Sequence, residues 1–179
     1  MIIVAIDPGI NGAIASFEYD LAMRPIMIDI VNFCRDDLKE QVLKIKNCAS
    51  IADEIYLENV HSMPGQGVKS TFTFGVQKGL VLGVVLSMEK DLYVVDPLKW
   101  KKIYVKKIKN YQDLTKNQKK LAVNEIVRKA VKKLGKIMIK GQKIDRNNSD
   151  AVGIALSIYL QKCVQANIKN CFVEYLWGA

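Results

Sequence analysis

Three carboxylates stand where an α/β chain brings strand ends and helix starts together. Asp7 ends the apolar run Ile2-Ile3-Val4-Ala5-Ile6, Glu58 ends Glu54-Ile55-Tyr56-Leu57, and Asp150 opens the apolar stretch beginning at Ala151. A charge at the mouth of a buried strand is costly unless it meets a cation or hydrogen-bond donors. No Arg or Lys stands beside any of the three in sequence, so a cluster of them repels itself unless a hard cation is present. Mg²⁺, or Mn²⁺, with carboxylate, water and phosphate ligands suits these residue types. Two such ions about 3.5–4 Å apart would activate water and stabilise a leaving oxygen in a displacement at phosphorus. Each acid also has a plain structural role open to it: an Asx-turn before Pro8-Gly9 for Asp7, a strand-end turn for Glu58, a helix cap for Asp150.

The elements that must position them follow from periodicity. Residues 2–6, 12–19 and 25–32 read as strands joined by Gly- and Pro-containing turns, followed by a helix over 36–48 and a strand over 54–58. A loop over 59–69 carries Pro64-Gly65-Gln66-Gly67 and leads to a helix over 70–88, with Ser70 as its cap. A short strand over 93–95 ends at Asp96-Pro97, and 98–105 is partly helical. Thr115-Lys116-Asn117-Gln118 has the form of a capping box; the helix it opens places Val123, Val127, Ala130, Val131 and Leu134 on one face and stops near Gly135. Ser149 or Asp150 opens the last long helix, to about residue 166, and the aromatic residues beyond it predict a segment docked on the domain or on a partner chain. This succession predicts one domain over 1–179, a mixed α/β sheet with helices on both faces. Asp7 and Glu58 then project into one crevice, and the first turn of the last helix delivers Asp150.

Gly75, Gly79 and Gly83 recur every four residues along one face of the 70–88 helix. Each costs about 1 kcal/mol relative to Ala. Close packing is the compensation, either on the sheet or against a second copy across a two-fold axis.

The net charge of +9 is unevenly placed. Residues 99–146 hold seventeen Lys and Arg against three acids, while the remainder carries a net −5. A basic half attached to an acidic half predicts a polyanionic partner, with nucleic acid first among them. No uninterrupted apolar run approaches the roughly 18 residues of a membrane span, and the chain opens directly on strand-like residues rather than on a leader. The expectation is an intracellular, cytoplasmic protein without membrane contact. The four cysteines show no zinc-ligand spacing and read as free thiols.

Four segments resemble the RuvC-like Holliday-junction resolvases of the ribonuclease H-like superfamily, particularly the phage and bacterial form. They are Ala5-Ile6-Asp7-Pro8-Gly9-Ile10-Asn11-Gly12; Glu58-Asn59-Val60-His61 with Phe72-Thr73-Phe74-Gly75 following; Val95-Asp96-Pro97-Leu98-Lys99-Trp100-Lys101; and Ser149-Asp150-Ala151. Actin-like ATPases and sugar kinases share an opening Asp-x-Gly but need a second domain. The resemblance implies five strands in the order 3-2-1-4-5 and a Mg²⁺-dependent homodimer that binds four-way DNA junctions and nicks two opposed strands. It implies Asp7, Glu58 and Asp150 as metal ligands and catalytic acids. A further acid normally precedes the last one closely; Asp145 is the candidate here, with Asn147 as a neutral alternative. His61 and Gln66, in a loop whose glycines let backbone approach a phosphate, are candidate junction contacts. Lys69, Lys101, Lys102, Lys106 and Lys107 are candidate phosphate contacts, and Lys99 is placed to reach the scissile phosphate. Trp100, Tyr104 and Tyr111 are candidates for stacking on splayed bases, while Trp100, close behind a strand end, reads rather as core. The competing readings are a junction-binding protein without catalysis, and a ribonuclease H-type nuclease acting on hybrid or other branched substrates.

Overall fold

Alternation along the first strand sets the layers of the molecule. In β1 (Ile2–Asp7), Ile3 and Ala5 enter one core while Val4 and Ile6 enter another on the opposite face, as the two-residue period of a strand requires. These relations come from a computed structural model that describes residues 1–9, 11–34, 37–60 and 67–177. β2 (Ala13–Tyr19) runs antiparallel to β1, and β3 (Pro25–Asn32) antiparallel to β2. β4 (Glu54–Glu58) lies parallel on the other side of β1, and β5 (Leu92–Val95) parallel to β4. Helices α1 (Leu38–Ile51) and α2 (Val68–Ser87) cover the Val4/Ile6 face through Ile45, Val81 and Val85. The opposite face carries α3 (Pro97–Val105), α4 (Lys116–Lys133), α5 (Ser149–Gln165) and α6 (Cys171–Trp177). The end of the chain thus docks on its own domain, with Phe172 and Leu176 buried.

The sheet has six strands rather than five. β6 (Met138–Gly141) pairs parallel with β3, giving the order β5-β4-β1-β2-β3-β6. The expected 3-2-1-4-5 order survives within it. All four residues of β6 are exposed, so backbone pairing rather than a buried face holds the strand, and no apolar alternation announces it. Gly141 turns off the strand with φ +73°, and a Cβ there would stand 2.1 Å from the Ile30 carbonyl oxygen.

Smaller departures concern ends. α1 continues to Ile51, and α2 begins at Val68 behind Gly67, which offers no side-chain cap. The capping box at Thr115 forms as expected: the Gln118 N–H donates to Thr115 Oγ1, and the Thr115 N–H to Gln118 Oε1. Cys34, Cys48 and Cys163 are free thiols.

The glycines of α2 do not pack on the sheet. Nothing lies within 4 Å of where a Cβ would stand at Gly75, Gly79 or Gly83. These glycines share an outward face with Phe72, Val76 and Leu86, all exposed, while Gln77, Val81, Val84 and Val85 meet the core. Among the described residues α2 is the one helix long and apolar enough to cross a membrane by length and composition.

Candidate metal centre and nucleic-acid cleft

Asp7 and Glu58 point the same way because they share a strand parity. On β1 Asp7 follows Ile3 and Ala5, and on β4 Glu58 follows Tyr56, which packs against the same core. The parallel register pairs Ile6 with Leu57, so the two acids leave adjacent strand ends side by side. α5 crosses this face as the apolar axis of the core, nearly every residue from Ala151 to Leu160 being buried. Its first turn brings in Asp150, and one carboxylate oxygen from each of Asp7, Glu58 and Asp150 lies within 4.8 Å of the others.

Local turns fix each acid. Asp7 makes the Asx-turn that its sequence allows, Oδ1 accepting from the Gly9 N–H at 3.0 Å, and still takes its place in the acid cluster. Gly12 closes the turn by donating its N–H to the Gly9 carbonyl, and a Cβ there would collide with the Asp7 carbonyl oxygen at 2.0 Å. The turn that leads into α5, whose N-cap Asn148 makes no side-chain capping bond, is held by Asp145. Its Oδ1 accepts from the Asn147 and Asn148 N–H groups and its carbonyl from the Ser149 N–H. Fully buried Asn148 ties this turn down, accepting from the Asp145 N–H and donating through Nδ2 to Asn32 Oδ1 and the Lys143 carbonyl.

Crowding shows in the titration of the acids. Burial, then the charges of Glu58 and Asp150, push Asp7 from 3.8 up to about 7, against the pull of the Gly9 N–H and Lys120. Burial also raises Glu58, with Lys101 opposing and Asp150 reinforcing. Three converging carboxylates that cannot all ionise cheaply are a donor set suited to a hard divalent cation.

A lysine reaches these acids. Lys101 Nζ stands 3.4 Å from Glu58 Oε1 and 3.3 Å from Asp150 Oδ2. Burial pulls its amine down, yet the charges of Asp150 and Glu58 outweigh that and hold it above its usual value. Lys99, two residues earlier, is exposed on another side of α3. Lys101, expected as a phosphate contact, is therefore already paired with carboxylates.

Of the other expected residues, Lys69, Lys102 and Lys106 are exposed and Lys107 is partly buried. His61 and Gln66 lie outside the described residues. Asp145 stands outside the acid cluster in the turn before α5, and Asn147 is partly buried in the same turn. Trp100 and Tyr104 are buried and unavailable for stacking on bases. Tyr111 is partly exposed, with Lys119 Nζ 5.3 Å from its ring centroid. A cleft of about 480 Å³ opens beside Asp150 and Lys101, walled by Tyr111, Lys116, Lys119 and Lys120. The three α4 lysines were not among the expected contacts. Their signal lay in the sequence as the polar first turns of a basic helix, but its distance from the acids did not.

No family model matches the chain, and no curated protein is significantly similar to it in sequence. Solved structures do resemble it. RuvC of Thermus thermophilus in complex with a Holliday junction substrate superposes with a TM-score of 0.57 at 17% identity, covering 90% of this chain and 96% of that one. A second Thermus thermophilus RuvC structure gives 0.54 at 17%, covering 95% and 99%. The yeast mitochondrial Holliday junction resolvase Ydc2 gives 0.53 at 10%, covering 88% and 75%. The chain therefore has a RuvC-like α/β fold, built here on a six-stranded sheet whose β3 edge is closed by β6.

Proposed function

We propose that this protein is a divalent-metal-dependent endonuclease that resolves four-way DNA junctions, acting as a homodimer. The observation that carries this reading is the convergence of Asp7, Glu58 and Asp150 at one end of a RuvC-like sheet, beside a lysine-walled cleft. These three residues would hold Mg²⁺ or Mn²⁺, which when bound activates water and stabilises negative charge developing at phosphorus. The Gly9 N–H orients Asp7, the turn held by Asp145 leads into the helix that carries Asp150, and Trp100 and Lys101 hold Glu58. Lys116 and Lys120 give the cleft the positive charge that a phosphodiester backbone requires. Lys101 faces the acids from the cleft side, where its charge is available to a bound phosphate once a metal ion neutralises the carboxylates.

Dimerisation is inferred from α2. Its outward face is apolar and carries three glycines without neighbours, a surface suited to close helix-on-helix contact with a second copy. Two copies supply the two acid centres that paired nicks need.

A substrate panel tests the function: synthetic four-way junction, linear duplex and RNA–DNA hybrid, each with and without Mg²⁺. Nicking confined to the junction and to Mg²⁺ is expected. Asp7→Asn should reduce nicking to background while the junction is still bound. Undiminished cleavage by that variant would sink the metal centre; cleavage of hybrid in preference to junction would move the assignment to a ribonuclease H activity.

A further inference from the structure

The acid cluster has one partner that neither neutralises it nor faces solvent. Trp100 is 1% exposed, and its indole Nε1–H donates to Glu58 Oε1 at 3.0 Å inside the core. The same oxygen faces Lys101 Nζ at 3.4 Å, and that amine lies 4.8 Å from the Trp100 ring centroid. Oε1 is thus met by two donors.

The other end of the ring touches α5. A Cβ at Gly153 would stand 2.6 Å from Trp100 Cζ3, so the indole fits only because residue 153 has no side chain. Gly153 lies one turn beyond Asp150 on the same helix. One rigid bicycle therefore touches the acid of β4 at its nitrogen edge and the helix bearing Asp150 at its benzo edge. A flexible side chain would not fix that span, whereas an indole has two rotatable bonds and a planar frame.

We infer that Trp100 is a positioning residue for the divalent cation: it reserves Glu58 Oε1, leaves Oε2 as the oxygen offered to metal, and sets the separation of Glu58 from Asp150. This rests on the metal-centre reading above. It differs from a purely structural role because an indole N–H is a donor without charge. Unlike Lys101, Trp100 has no reason to leave when a cation arrives. Hydrogen-bonded partners behind metal ligands orient them, and their loss typically lowers metal affinity about 10–100-fold.

The test is Mn²⁺ binding to the full chain, measured calorimetrically without DNA, alongside urea unfolding without metal. Trp100→Phe keeps most of the ring and removes the N–H. It should weaken Mn²⁺ binding at least about 10-fold. Ile28→Ala, in the same core but on β3 away from the acids, provides a destabilised control whose Mn²⁺ affinity should match the wild type. Gly153→Ala, which pushes the ring off its seat, should weaken Mn²⁺ binding as Trp100→Phe does. Wild-type affinity in Trp100→Phe overturns the inference while leaving the metal centre intact. So does a loss of affinity in Ile28→Ala equal to that of Trp100→Phe, since stability alone would then explain both. If the wild type binds no Mn²⁺ and Asp7→Asn changes nothing, the metal centre falls and the role of Trp100 with it.

Discussion

Asp7 is held by a backbone turn at one oxygen, buried, and crowded by two other carboxylates, and burial with that crowding has a thermodynamic sign. Its pKa of about 7 in the fold lies above the 3.8 of the free side chain. Between those values the folded protein holds a proton that the unfolded chain releases. Stability of the metal-free protein therefore declines as pH rises from about 4 to 7, and the loss is complete above 7. Asp7→Asn removes that penalty. In chelator at pH 8 the variant should be more stable than wild type by on the order of 3 kcal/mol, a rise in melting temperature of roughly 5–10 °C. At pH 4 the two should nearly coincide, and Mn²⁺ at pH 8 should stabilise wild type alone. Thermal unfolding at the two pH values decides it; a variant less stable at pH 8 would contradict the crowding.

The three acids were legible from sequence because strand ends and helix starts are places that periodicity locates. The choice between Lys99 and Lys101 was not. Two residues on a helix differ by about 200° in direction, so the choice depends on how α3 docks. Trp100 was read correctly as core when weighed against base stacking, yet its donation to Glu58 depends on that same docking. Asp145 has the spacing of a ligand but its carboxylate accepts from the backbone of the turn before α5, a competition between side chain and backbone that spacing alone does not resolve.

Among the elements, α2 and β6 mark the limits of pattern reading from opposite sides. The glycine repeat of α2 was visible, and its direction was open between sheet and partner until neighbouring atoms could be placed around it. Because a Cβ at Gly79 meets nothing, Gly79→Arg should leave the monomer fold intact and even lose the helix cost of glycine, about 1 kcal/mol. It should nevertheless convert a dimer to monomer in analytical ultracentrifugation, with paired nicking reduced to single nicks. A dimer that survives this substitution would place the interface elsewhere. β6 was missed because an edge strand with no buried face leaves no period-two signature. Only the Gly135 and Gly141 punctuation around it was there to read.

For the molecule as a whole, the charge asymmetry visible in composition becomes spatial. Lys101 of α3 and Lys116, Lys119 and Lys120 of α4 gather beside the cleft at Asp150. Association with junction DNA should weaken linearly in log K against log salt. Neutralising Lys116 or Lys120 should each lower that slope by about 1 while leaving the choice of junction over duplex unchanged. Fluorescence anisotropy across a salt series measures both quantities, and a flat response in the wild type would remove the basic cleft from the account.

The placement of α5 bears on how the protein is made. Asp7 and Glu58 belong to the first third of the chain, whereas Asp150 and the apolar helix behind it are among the last elements synthesised. A ribosome-bound chain that has reached only α4 carries two of the acids but neither the third nor the helix that crosses both β1 and β2. The acid cluster comes into being in the same step as the core on the α5 face of the sheet. Truncated or half-folded copies are thereby left without the assembled acid cluster and, under the function proposed above, without the means to cut DNA.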